Sequence, residues 1–164
     1  STYSIEPLIY KYASLNERRI LKDKYNICEF DIQIIKLERI FIDKIFASEF
    51  YYKRKMYEDV SKHLYDICIM FENVKIRDML NDKNELCKLI NYKRKEEENR
   101  LGGIPANTKL CDFSYMKLNF DDDLVKSFNK MQKIYVLDDD SKKTIDDVKN
   151  VVNKLLELFK EMDI

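Results

Sequence analysis

Apolar positions along this chain recur every three or four residues in several stretches, the period of an amphipathic helix. The clearest stretch is 144–162, where Ile145, Val148, Val152, Leu155, Phe159 and Met162 fall on one stripe. Helices are also predicted over 121–136, 83–100, 75–81 and about 57–71, the last with Val60, Leu64, Ile67, Cys68 and Phe71 at helical spacing. From about 38 to 53, Ile40, Phe41, Ile42, Ile45, Phe46, Phe50 and Tyr51 make an apolar surface too wide for an exterior helix. A short basic turn at 53–56 joins these two segments, which predicts an antiparallel helical hairpin. Residues 15–24 predict a short helix with Leu15, Ile20 and Leu21 on its narrow apolar face. Only at 27–35 does the period fall to two. There Phe30, Ile32 and Ile34 alternate with Glu29, Asp31 and Gln33, so a strand is expected. A single strand is not stable alone, so it either pairs in a small hairpin or finds partners elsewhere. Residues 1–11 show no clear period. The expected fold is mainly α, a helical bundle with a short β region near the N-terminus, in one mostly helical domain over 1–164. Within it the reading gives a mixed lead-in (1–36), the hairpin and following helices (37–100), a loop (101–120) and a C-terminal helix pair (121–164).

Composition narrows the class. Two glycines and two prolines in 164 residues are too few for a turn-rich β fold. Thirty Lys+Arg balance thirty Asp+Glu, so no global basic field draws in nucleic acid, although a local patch remains open. At 45% hydrophobic and 37% charged, the sequence is too apolar for disorder and too charged for a membrane protein. No apolar run approaches the ~20 residues that cross a bilayer, and a cytoplasmic location is expected. The cysteines Cys28, Cys68, Cys87 and Cys111 form no CxxC pair and read as buried reduced thiols. A zinc site would need closer ligands and more than the single His63. Gly102, Gly103, Pro105 and Asn107 centre the one obvious loop, the expected mobile segment. The runs Asp121–Asp123 and Asp138–Asp140 precede the last two helices and read as N-terminal caps. The second run fails as a calcium loop because Lys142 stands at the next ligand position and no glycine follows.

Nucleotide and protease signatures are missing. There is no GxGxxG, no GxxxxGK[ST] and no HExxH, and one histidine cannot serve several triads. Attention falls on Lys44, set within Phe41-Ile42-Asp43-Lys44-Ile45-Phe46. An ammonium there must snorkel, pair with a carboxylate or face a cleft. On the next helix His63 and Asp66 lie three residues apart and share a face, with Cβ atoms about 5–6 Å apart. In an antiparallel hairpin that face can point back at Lys44. Lysine, carboxylate and imidazole would then form either an anion site or a structural salt bridge between packed helices. Two basic-aromatic runs, Tyr51-Tyr52-Lys53-Arg54-Lys55 and Tyr92-Lys93-Arg94-Lys95, read as RNA contacts or as solvated surface. In the second, Glu96-Glu97-Glu98 cancels the field, which supports a solvated helix with i,i+4 pairs.

The segment Leu37-Glu38-Arg39-Ile40-Phe41-Ile42-Asp43-Lys44-Ile45-Phe46, followed by Ser61-Lys62-His63-Leu64-Tyr65-Asp66, resembles the AbiEii/AbiGii-type nucleotidyltransferase toxin family. Members carry an E-R-T-F-x-E-K-I-like helix start and, about twenty residues later, an S-R-H-x-Y-D-like helix; here Asp66 follows Lys44 by 22 residues. The likeness is good over 27–72 and looser over 1–26 and 73–118. It implies a bacterial nucleotidyltransferase toxin of a toxin–antitoxin or phage-defence system, similar to DNA polymerase β-like enzymes, some of which modify tRNA. By the resemblance, Lys44 holds the nucleoside triphosphate and Asp66 completes the active site. His63, Lys62 and Tyr65 belong to the same motif, with His63 and Lys62 beside the nucleotide. A cognate antitoxin protein, and tRNA or another RNA met by Lys53, Arg54 and Lys55, are the implied partners. Two positions depart from the pattern: Ile40 stands where Thr is common, and Lys62 replaces Arg, which keeps the charge but loses bidentate geometry. The family's G-S-x-x-x-x-D-x-D element, whose carboxylates bind magnesium, has no counterpart in this sequence. Glu29 and Asp31 could mimic only part of such a site. The expectation is therefore the C-terminal half of such an enzyme, holding no metal and inactive alone, its strand's partners lying in the other half. The alternative is a non-catalytic helical module that binds an antitoxin or RNA.

Overall fold

A four-residue strand at the start of the chain is the first departure from the sequence reading. The structure, a computed structural model, describes residues 2–164. Strand β1 (Thr2–Ile5) pairs antiparallel with β2 (Phe30–Gln33), with Tyr3 opposite Ile32 and Ser4 opposite Asp31. The expected strand over 27–35 is thus shorter, and its partner lies in this chain rather than in a missing half. Four residues ending near Pro7 are too few for a period of two to register, which is why β1 was hidden. Between the strands run α1 (Leu8–Tyr12) and α2 (Leu15–Tyr25). Ser14 and Glu17 close a capping box at the start of α2, and Asn26 ends it in the left-handed conformation at φ 53°.

The chain divides into two compact units, Ser1–Lys36 and Leu37–Ile164. The boundary falls where the reading passes from its mixed lead-in to helices. In the first unit no side chain among the described residues is buried.

The second unit is mainly α. It comprises α3 (Leu37–Tyr52), α4 (Tyr57–Phe71), α5 (Val74–Asn81), α6 (Lys83–Glu98), α7 (Asp122–Tyr135) and α8 (Ile145–Met162). The α3–α4 pair is antiparallel: Lys44 meets Asp66, while Tyr51, further along α3, meets His63, earlier on α4. Helix α3 touches α4, α5, α6 and the 3-10 turn at Ser114–Lys117, which explains its wide apolar surface. Phe41, Phe46, Phe113, Tyr115, Phe128 and Phe159 fill the core, and Phe46 meets Phe113 edge-on at 5.4 Å.

One carboxylate lies inside this core. Glu49 is fully buried, accepting hydrogen bonds from the Ser114 amide at 2.6 Å, the Ser114 hydroxyl at 3.0 Å and the Tyr115 amide at 3.4 Å. Lys53 Nζ, one turn on, lies 3.0 Å from it. Three donors and a cation offset the desolvation of the charge, and in return Glu49 satisfies the free amides that open the 3-10 turn.

Several local expectations are corrected. The loop at Gly102–Gly103 is anchored: Arg54 donates to the Gly102 carbonyl at 2.8 Å and the Gly103 amide to Arg100 at 2.9 Å. Glycine is required at 103 by space, since a Cβ there would sit 2.1 Å from the Glu97 carbonyl oxygen. Asp121 does cap α7, accepting from the Leu124 amide at 2.9 Å. Asp138, however, caps the 3-10 turn Asp139–Ser141, and α8 is capped by a Thr144–Asp147 box. All four cysteines are free, but only Cys68 is buried; Cys28, Cys87 and Cys111 are partly exposed. Among the described residues no helix is long and apolar enough to cross a membrane.

Glu49→Ala should cost about 3 kcal/mol or more, because it leaves the Ser114 and Tyr115 amides without their acceptor in the core. Tyr115→Phe should change stability by less than about 1 kcal/mol or raise it, since that buried hydroxyl has no partner among the described residues. Urea denaturation of the two variants checks the contrast; equal losses would contradict it.

Candidate functional site

Lys44 leaves the core side of α3 between the buried Phe41 and Ile45 and runs to the flank, where its side chain is 26% exposed. Asp66 sits on α4 between the buried Leu64 and Ile67 and is 39% exposed. Their Nζ and Oδ2 atoms are 2.6 Å apart. The antiparallel hairpin thus brings together the two residues that the sequence marks, at a place that solvent reaches. A pair this exposed contributes about 0–1 kcal/mol, so the fold does not depend on it.

His63 lies one turn before Asp66. Its ring stacks on Tyr51 of α3, with centroids 5.4 Å apart and planes at 27°. Its Nδ1 is buried with no partner among the described residues. Burial, then the Lys44 ammonium, holds the imidazole below its ordinary value of 6.5, against the pull of Asp66 and Asp59. It is therefore neutral at neutral pH.

The other marked residues go elsewhere. Lys62 is exposed, pairs with Asp59 at 3.4 Å and lies 5.9 Å from the Tyr135 ring on α7. It lines a cleft of about 70 Å³ between α4 and α7 with Glu58, Ser127 and Lys130. Tyr65 donates to the Ser141 carbonyl at 3.0 Å, a contact that fastens a loop. Of the basic run, Lys53 serves Glu49, and Arg54 donates to the Phe50 and Gly102 carbonyls at 2.8 Å each. Arg54 and Arg100 both lie over the Phe50 ring, at 3.6 and 3.5 Å. Lys55 is exposed in the turn at φ 54°.

A charge network beside the pair escaped the sequence reading. Asp43 lies 3.3 Å from both Arg39 and Lys93, Lys93 lies 3.0 Å from Glu97, and Arg39 also pairs with Glu96. The Lys93–Glu97 spacing predicts an i,i+4 pair on a solvated face. Instead Glu97 is buried, and its Oε2 accepts the Ile104 amide at 3.3 Å. Burial raises its value, yet Lys93, the Ile104 amide and Arg100 more than offset this and hold it below the ordinary 4.5.

Magnesium, which the resemblance implies for the whole enzyme, does not fit the residues present. Among the described residues no group of three or more His, Cys, Asp or Glu could hold a metal ion. Asp66 is engaged by an ammonium, and Glu29 and Asp31 are exposed and far fewer than a hard cation needs. No family model matches the chain, no curated protein matches it, and no solved structure matches it.

His63 and Glu97 both have lowered values in the folded chain, so each favours folding above its unfolded value and loses that contribution as pH falls. Urea midpoints should hold between pH 8 and 7, decline as pH drops below about 6.5, and decline again below about 4.5. A midpoint unchanged from pH 7.5 to 5.5 would refute the first step, and His63→Gln should flatten it.

Proposed function

We propose that the partly exposed surface around Lys44, Asp66 and His63 contributes the triphosphate contacts of a nucleotidyltransferase toxin of the toxin–antitoxin or phage-defence type. The observation that carries this reading is the partly exposed Lys44–Asp66 pair at 2.6 Å, formed across the two arms of the hairpin by the two positions that the resemblance singles out. In this reading the Lys44 ammonium meets a phosphate oxygen, and Asp66 holds the amine in place until the anion arrives. His63 lies against the same pair, while Lys62 would reach a nucleotide only by leaving Asp59 and Tyr135. Lys55, with Lys53 and Arg54 behind it, is the proposed RNA-facing edge. Since this sequence has no G-S-x-x-x-x-D-x-D element, the proposal concerns nucleotide contact and includes no transfer step.

A non-catalytic module that binds an antitoxin protein is the second reading, and one observation favours it. The first unit presents Leu8, Ile9, Tyr12 and Ile20 around an apolar groove of about 660 Å³, with Leu8 72% and Tyr12 78% exposed.

Calorimetric titration of the chain with ATP, CTP, GTP and UTP in metal-free buffer separates the two. Saturable binding that Lys44→Ala weakens about tenfold or more supports the nucleotide reading; each tenfold is about 1.4 kcal/mol, a reasonable share for one charge-assisted contact. Absent binding, or equal binding by the variant, removes it.

A further inference from the structure

The Lys44–Asp66 pair has a third ionisable neighbour, His63, which carries no charge at neutral pH. From α3, His63 faces Lys44 and Tyr51; from its own helix it faces Asp59, Lys62 and Asp66. Its Nδ1 has no partner among the described residues, so a proton added there would bring an unmatched N–H into a half-buried place, next to an ammonium. Neutral imidazole is therefore the resting state. An anion seated on Lys44 changes that balance, because it cancels the ammonium that opposes the proton.

We infer that His63 makes anion binding at Lys44 proton-linked: the protonated ring takes over part of the Asp66 charge, and the Lys44 ammonium is freed for the phosphates. The inference rests on the reading of this pair and its histidine as a triphosphate site. Three features of the geometry carry it. Asp66 is already the counter-ion of Lys44 at 2.6 Å, so an anion must compete with it. His63 stands one helical turn before Asp66 on α4, close enough for the carboxylate's charge to favour its proton. The Tyr51 stack keeps the ring beside the pair in either state. By linkage, a proton that tightens the anion is itself tightened by the anion, and by the same factor.

His63 is the chain's only histidine, so its imidazole resonance can be followed without assignment. The test is an NMR pH titration of that resonance, alone and with saturating inorganic tripolyphosphate, in metal-free buffer. The midpoint should rise by about half a pH unit or more on saturation, equivalent to roughly threefold tighter binding by the protonated protein. In Lys44→Ala the midpoint without anion should already be higher, and the further rise on adding tripolyphosphate should vanish. Binding that leaves the His63 midpoint unchanged or lower overturns the proton linkage and leaves the triphosphate site standing. No saturable binding at any pH from 5.5 to 8 overturns both. A rise that persists in Lys44→Ala places the anion elsewhere and also overturns the inference.

Discussion

A carboxylate sealed in the core sets the position of everything around it. Glu49 is held by two backbone amides, a hydroxyl and the Lys53 ammonium, and none of these can leave without stranding a charge away from water. It joins the C-terminal part of α3 to the turn at Ser114–Lys117, which lies far along the chain. With that end fixed, and with Phe41, Ile45 and Phe46 packed along its length, α3 has one rotation about its axis. That rotation puts Lys44 on the flank toward Asp66 and Asp43 on the flank toward Lys93.

Two neighbouring residues on α3 therefore do different work. Asp43 joins a largely covered network in which Lys93 is only 13% exposed, an arrangement that clamps α6 against α3. Lys44 enters a single ion pair in which both side chains reach solvent. The clamp has several partners and includes the buried Glu97, so removing one member leaves the others with unmatched charge. In the pair each charge has one partner and is partly open to solvent, so Lys44 can exchange that partner for another anion at small cost. This contrast separates a structural charge cluster from a place where a ligand can compete.

Helices were legible because their stripes repeat over three turns or more, and α4 and α8 stand within a residue of their expected bounds. The pairing of Lys44 with Asp66 was legible too, since hairpin geometry follows from a short turn between two amphipathic stretches. What stayed hidden depends on contacts distant in sequence. Nothing near Glu49 announces that it caps a turn 65 residues later. Nothing near Gly103 announces that the Glu97 carbonyl lies against it; paired glycines looked like freedom and are in fact a close approach. Likewise β1 is too short to show a period, and nothing in the two basic-aromatic runs announces that Lys53 pairs with Glu49, Arg54 with the Gly102 carbonyl and Lys93 with Glu97.

The first unit has helices, caps and a paired sheet but, among the described residues, no side chain fully withdrawn from water. Its secondary structure rests on local hydrogen bonds, which add little once solvent can replace them. Its strands can therefore separate and re-form while α3 and α4 stay closed, so amide protons there trade with deuterium long before those of the helical core.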